Sequence, residues 1–322
     1  MLKITAPPLP PKLSTPAYPI TGSCSTMKNL TTKYPFPEDC KMNKKNYLIF
    51  PDQGKIYFHT IEEARFIYDE IFIKKEYLRH GITLKHGDTV FDAGANIGMF
   101  SLFASRECGN DISMYAFEPI PETFSILKKN IDALDHRGRI KLFNMGLTRL
   151  DGPREAVFTC YTAMSGNSTM NRAEKEKMYH DTDPDDVLHL LKETNPAVYF
   201  LLMILYPARR WLIRNKIEKS LAAREVKCPL TSLSSVMREF SVTTIDLLKI
   251  DTEGAELDIL RGIADGDWPK IRQIVMEVHD IDGRLAAVSD LLKKKGFAHV
   301  VAEQPHWCEV IKSPTYNLYA RR

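Results

Sequence analysis

Four acids and one histidine of this chain stand at the ends of short apolar runs: Asp92 after Val90-Phe91, Glu118 after Tyr115-Ala116-Phe117, Asp251 after Leu247-Leu248-Lys249-Ile250, and Glu277 with His279 after Val275-Met276. Asp92 opens the segment Asp92-Ala93-Gly94-Ala95-Asn96-Ile97-Gly98, in which two glycines permit a tight turn from an apolar strand into an apolar helix beginning at Phe100. In a doubly wound sheet two such strand ends lie side by side at the switch point, where the carboxylate of Glu118 accepts hydrogen bonds from both hydroxyls of a ribose. The pattern D-x-G-x-N-x-G differs from the G-x-G-x-x-G that seats a pyrophosphate on a helix N-terminus, and its leading acid repels phosphate. S-adenosylmethionine, which has no phosphate, fits better. Its ammonium is expected on Asp92 and its ribose on Glu118, with Gly94, Asn96, Gly98 and Pro119 shaping the loops around it. A glycine turn by itself is a common structural device; the acids at the other strand ends favour the functional reading.

The remaining strand-end groups suit proton transfer. Glu277 and His279 are two positions apart, so an extended strand points both to one face. Transfer of a methyl group from a sulfonium is an in-line displacement with a good leaving group, which leaves the enzyme to position the acceptor and make it nucleophilic. An alcohol is deprotonated only far above neutral pH, so methylation of a hydroxyl needs a base. His279 is the candidate, with Asp251, Glu253 and Glu277 as carboxylates that orient the imidazole or hold the substrate. The alternative is a histidine with a structural role only. Asp251, His279 and Asp280 could also imitate a magnesium site, but magnesium prefers oxygen ligands, so no metal is expected.

These segments resemble the FkbM-type S-adenosylmethionine-dependent methyltransferases, and in particular the O-methyltransferase domains of polyketide and nonribosomal peptide pathways. The resemblance runs from about Thr60 to Arg322 and is carried by Val90-Phe91-Asp92-Ala93-Gly94-Ala95-Asn96-Ile97-Gly98, Ala116-Phe117-Glu118-Pro119, Leu247-Leu248-Lys249-Ile250-Asp251-Thr252-Glu253-Gly254-Ala255-Glu256 and Glu277-Val278-His279-Asp280-Ile281-Asp282-Gly283-Arg284. The first block is shared by many methyltransferases; the last two are more specific to this family. The resemblance also implies that a helix near residues 60–80 covers the cofactor, which makes Tyr68, Tyr77 and Arg79 candidates for contacts to the cofactor or the substrate. Packing against the sheet edge would explain that helix equally well.

The expected fold is α/β: a class I Rossmann-like methyltransferase with a seven-stranded, mostly parallel sheet, an N-terminal helical cover and an inserted helical lid. Strands and helices alternate from residue 81 onward. Ile140–Leu147 reads as one strand, whose end at Gly146 falls where an adenine ring is usually held; a simple strand-end turn is the alternative. Ala298–Glu303 and Tyr316–Ala320 read as a closing antiparallel pair. Residues 1–44 read as a flexible Pro-rich arm without the apolar core of a signal peptide, 45–80 as the helical cover opened by a cap at Thr60 and Glu63, and 81–322 as the catalytic domain with its lid at 161–225.

Within that insertion, Pro196–Tyr206 is almost wholly apolar and is followed by Arg209, Arg210, Trp211, Arg214 and Lys216. It is too short to span a bilayer. A lid or oligomer surface enclosing a greasy substrate is the preferred reading, and peripheral membrane contact through 196–216 the other.

Composition is that of an ordinary globular enzyme, with 44% hydrophobic and 26% charged residues. A net charge of +3, no N-P-P-Y motif and no basic tract interleaved with aromatics argue against nucleic acid. Six cysteines without C-x-x-C pairs fit a reduced, cytoplasmic protein. The acceptor is expected to be a small-molecule or carrier-bound secondary metabolite bearing a hydroxyl. The alternatives are carbon methylation of an alkene or aromatic ring, and a membrane-associated cofactor-binding protein without catalysis.

Overall fold

The computed structural model describes residues 41–43, 47–50, 54–132, 139–161 and 165–322. The arm expected over 1–44 lies outside the described residues as far as residue 40, and Lys41–Asn43 at its end is a strand, β1. It pairs antiparallel with β2 (Tyr47–Phe50), which pairs with β3 (Gly54–Tyr57). The segment expected to be helical from residue 45 is therefore helical only from α1 (Ile61–Tyr68). Thr60 has the extended backbone of a cap, and its hydroxyl accepts the Glu63 N–H at 3.3 Å. The helix then widens into a π-turn over Asp69–Ile73, and a 3₁₀ turn at Glu76–Leu78 ends the cover.

Next come β4 (Thr89–Ala93), α2 (Met99–Glu107), β5 (Ser113–Phe117), α3 (Pro121–Asp132) and β6 (Ile140–Phe143), the three strands parallel and adjacent. The single strand expected over Ile140–Leu147 is in fact two. β6 stops at Phe143, and β7 (Gly146–Thr148) joins a separate sheet with β8 (Glu155–Tyr161) and β9 (Ala223–Ser232). Between β8 and β9, which pair antiparallel from Glu155↔Pro229 to Tyr161↔Ala223, hang α4 (Arg172–Asp181), α5 (Pro184–Thr194), α6 (Pro196–Ile204) and α7 (Arg209–Ser220). The insertion thus departs from, and returns to, one hairpin.

The chain completes the main sheet with α8 (Leu233–Glu239), β10 (Leu247–Ile250), α9 (Glu256–Arg261), β11 (Gln273–His279), α10 (Arg284–Lys294), β12 (His299–Glu303), α11 (His306–Val310) and β13 (Thr315–Arg321). The strand order is β12-β13-β11-β10-β4-β5-β6, with β13 antiparallel to both neighbours. This is the seven-stranded, mostly parallel Rossmann-like sheet that the alternation predicts. Both faces of its central strands are covered, so these are largely apolar, with Asp92 of β4 and Lys249 of β10 as buried charges. Val90, Met114, Leu247 and Val275 point into the layer formed with α1, α2 and α3, whereas Phe91, Tyr115, Leu248 and Ile274 point into the layer formed with α8, α9 and α10. β4 and β10 are neighbours from which the chain winds outward in opposite directions, so the crevice beyond their carboxyl ends is the switch point.

Candidate active site

A cavity of about 500 Å³ opens at that switch point, within the roughly 300–1,000 Å³ typical of small-ligand sites. Its floor is the turn after β4. Gly94 has φ +77°, and a Cβ there would lie 1.8 Å from the Asp251 carbonyl oxygen, so only glycine lets the β4 and β10 loops approach this closely. Beside it Glu118, at the end of β5, accepts the backbone N–H groups of Asn96 at 3.0 Å and Ile120 at 2.9 Å. Burial pushes its carboxyl up to about 7, those two N–H donors opposing the shift. Gly94, Asn96, Glu118, Pro119, Gly146 and Tyr77 all line the cavity. At Gly146 a Cβ would come within 2.7 Å of Leu230, so the wall is tight there.

Four candidates lie elsewhere. Asp92 is fully buried beneath the turn: Ser101 donates to it at 2.7 Å, and Lys249 Nζ stands 3.2 Å from its other oxygen. The ammonium it was expected to pair with in a cofactor is supplied by this lysine, which also donates to the Gly94 carbonyl at 2.7 Å. Burial opposes the charge of Lys249, but Asp92 and Asp251 together raise its pKa, so it stays protonated. Gly98 begins α2 beneath the turn, against Leu127. Tyr68 stacks on Phe72 at 4.8 Å, and Arg79 pairs with Glu303 at 2.8 Å on the outer side. None of the four lines the cavity.

The strand ends of β10 and β11 bring Asp251, Glu253, Glu277 and His279 together on the cavity wall. His279 Nε2 lies 3.1 Å from Glu253 and 3.6 Å from Glu277, and Nδ1 lies 3.7 Å from Glu256. Burial works against a charged imidazole here, but Glu253 at Nε2 and the nearby carboxylates of Glu256 and Glu277 raise the His279 pKa well above its ordinary value. Glu253 is buried, yet the Lys175 ammonium and His279 hold its carboxyl well below the usual range. Glu277 moves the other way, raised first by burial and then by the charge of Asp251. Asp251 accepts from the Tyr77 hydroxyl at 2.9 Å. The oxygens and nitrogen of Glu253, Glu277 and His279 lie within 4.8 Å of one another, close enough to hold a metal ion, but the Lys175 ammonium already fills the cationic position against Glu253.

The sequence reading missed the residues that the insertion and the cover bring in. Lys175 and Tyr179 come from α4; Thr169 and Asn171, just before it, donate to the carbonyls of Glu253 (2.6 Å) and Gly254 (2.9 Å) and so hold Glu253 in the left-handed region at φ +53°. Glu63 accepts the Gly166 N–H at 2.7 Å, tying the polar loop to α1. The π-turn carries Glu70 into the cavity wall, where burial, then Glu76 and Glu277, raise its pKa strongly. In sequence, Lys175 sits in Arg172-Ala173-Glu174-Lys175-Glu176-Lys177, which reads as a solvated charged face. The far end of the cavity is apolar, with Phe66, Met178, Val187, Leu190, Trp307 and Ile311. This dry wall comes from α1, α4, α5 and α11 with the residue that follows it, not from the apolar segment 196–206, none of which reaches the cavity.

Residues 92–299 match the family described as the Methyltransferase FkbM domain. The chain is 38% identical over 266 residues to the 31-O-demethyl-FK506 methyltransferase FkbM of Streptomyces tacrolimicus, covering 80% of this chain and 90% of that one. It is 32% identical over 247 residues to Methyltransferase 1 of Beauveria bassiana, covering 76% and 85%. It is also 34% identical over 271 residues to the AMB antimetabolite synthetase AmbE of Pseudomonas aeruginosa, where the match covers 82% of this chain and 12% of the synthetase.

Proposed function

We propose that this chain, which belongs to the FkbM methyltransferase family and is a methyltransferase, uses S-adenosylmethionine to methylate a hydroxyl of a small, largely apolar natural product, without a metal. The observation that carries this reading is the cluster of His279, Glu253 and Glu277 facing a cavity that is polar and glycine-floored at one end and apolar at the other. The Streptomyces relative is named for a 31-O-demethyl acceptor, which supports a hydroxyl target. The match to a segment of a synthetase supports a carrier-bound acceptor as a variant of the same reading.

The residues present fit the methyl donor. Asn96 Oδ1 and Thr252 Oγ1 are buried without hydrogen-bond partners, and both residues line the cavity beside Glu118 and Gly94. Glu118 would hold the ribose, and Asp251, facing the cavity where Asp92 does not, would meet the ammonium. S-adenosylmethionine, when bound, supplies a methyl group on a good leaving group. The apolar walls from α4, α5 and α11 exclude water and orient the acceptor. The acceptor's proton passes to the His279–Glu277 unit in the state where one of the two is deprotonated; Glu253, fixed by Lys175, keeps the imidazole in place. Lys175 already balances Glu253, which favours metal-free catalysis, and turnover is expected to survive EDTA. The +3 net charge and the unpaired state of Cys108, Cys160, Cys228 and Cys308 support a small-molecule acceptor in a reducing compartment, consistent with the cytoplasm.

The test is S-adenosylhomocysteine formation with pooled hydroxylated polyketide-type acceptors, alongside calorimetric titration of the donor. His279→Gln is expected to lower kcat by about 10²–10⁴-fold with donor binding retained. Full activity in that variant would sink the base and point to carbon methylation; absence of donor binding in the parent protein would sink the cofactor assignment.

A further inference from the structure

The insertion carries a surface that the catalytic reading does not use. Eight of the thirteen exposed large apolar side chains among the described residues fall within residues 198–211, on α6, its C-terminal loop and the start of α7. Phe200 is 66% exposed, Ile204 63%, Tyr206 68% and Trp211 65%. Only one side of the hairpin is satisfied: Tyr199 and Leu202 of α6 and Leu212, Ile213 and Ile217 of α7 pack on Leu188 and Leu191 of α5. The same α5 presents Val187 and Leu190 to the cavity, so one helix separates the outward apolar face from the apolar end of the site.

Charge distinguishes the occupants such a face could take. Residues 196–220 contain five basic side chains and one acidic one. Arg210 is neutralised by Asp183 and Asp185 of the α5 N-terminus, and Arg214 donates to the His180 carbonyl at 3.0 Å. Arg209 lies over the Tyr206 ring at 4.7 Å, beside the apolar tip. Lys216 and Lys219 are exposed and make no ion pair among the described residues. A two-fold contact between two copies would set this cationic rim against itself, which disfavours self-association. α6 spans about 14 Å at 1.5 Å per residue, and no helix among the described residues is long and apolar enough to cross a membrane. A short apolar tip with interfacial Tyr and Trp and a basic rim is the composition that seats a helix in the headgroup region.

We infer that the α6–α7 hairpin docks the protein onto anionic lipid, with Phe200, Ile204, Leu205 and Tyr206 inserted and Arg209, Lys216 and Lys219 facing the headgroups. This docking does not depend on which acceptor is methylated. The full chain is mixed with phosphatidylcholine vesicles, with and without phosphatidylserine, and the bound fraction is measured by flotation. The expected result is binding to the phosphatidylserine vesicles that weakens as salt is raised, falls at least about tenfold in Lys216→Ala/Lys219→Ala and is lost in Phe200→Ser/Ile204→Ser, with the thermal transition of both variants unchanged. Three results would overturn it: no flotation with anionic vesicles; equal flotation on neutral vesicles that the lysine changes do not touch; or light scattering that detects a dimer dissolved by Phe200→Ser/Ile204→Ser, which would make the face a contact between copies.

Discussion

His279 has carboxylates near both ring nitrogens, at 3.1 and 3.6 Å from Nε2 and 3.7 Å from Nδ1, and these favour the imidazolium and raise its pKa well above the ordinary value against the opposing effect of burial. A base in that state works only after losing its proton. The acid limb of the kcat–pH profile is therefore expected well above the usual histidine range. Lys175→Met removes a cation from the cluster, which stabilises the imidazolium further. It should move the limb to still higher pH while leaving the affinity for the methyl donor unchanged; a limb that stays put would mean that His279 does not titrate in turnover. The same shifts link stability to pH. His279, with its folded pKa raised, stabilises below its unfolded pKa, and that contribution is lost as pH rises through the folded value. Glu118 and Glu277, also raised, must be ionised at a cost as pH climbs from the unfolded carboxylate range through the folded one, about 7 for Glu118. All three act in one direction, so the unliganded protein should melt at a lower temperature near pH 8.5 than near pH 5.5, roughly. Scanning calorimetry checks the slope, which Glu118→Gln should flatten.

The turn between β4 and α2 and the lid helix α5 yield predictions of a different kind, because each concerns how two elements meet. A methyl group at Gly94 would strike the Asp251 carbonyl of the β10 loop, so Gly94→Ala should cost about 2–4 kcal/mol in urea unfolding and weaken donor binding. A wild-type denaturation curve would show that the two loops can part cheaply. α5 presents Leu190 to the apolar end of the cavity. Leu190→Trp fills that end and is expected to raise the acceptor KM at least about tenfold with the donor affinity unmoved. Equal loss of both would place the acceptor elsewhere.

In the molecule as a whole, the N-terminal cover is held to the last strand of the sheet. The Tyr319 hydroxyl on β13 donates to the Glu76 carbonyl at 2.8 Å, and Asn317 donates to the Glu76 carboxylate at 3.3 Å. Both contacts are buried and join residues more than 240 positions apart. The cover in turn supplies Tyr77 to Asp251, so the wall of the site depends on the far end of the chain. Tyr319→Phe leaves that carbonyl without its donor, for a loss of about 1–3 kcal/mol. That is roughly 2–10 °C in the thermal midpoint of a chain of this size, readable by calorimetry.

The strand-end acids, the glycine turn and the strand–helix alternation are local patterns, since apolar runs must be buried and a tight turn needs glycine. From them the Rossmann-like sheet, its closing antiparallel pair, and the meeting of Gly94, Glu118, Asp251, Glu253, Glu277 and His279 were readable in the sequence. What each carboxylate faces was not. Asp92 and Asp251 both end core strands, yet only folding sets Lys249 against the first and leaves the second on the cavity. Lys175 looked like one more charge on a solvated helix, and its burial against Glu253 exists only because the β8–β9 hairpin returns α4 to the turn after β10. The apolar run at 196–206 looked like a lining; the lid turned a different set of side chains inward. Hydropathy records that a segment needs covering, and only the packing of distant elements decides whether protein or something outside it provides the cover.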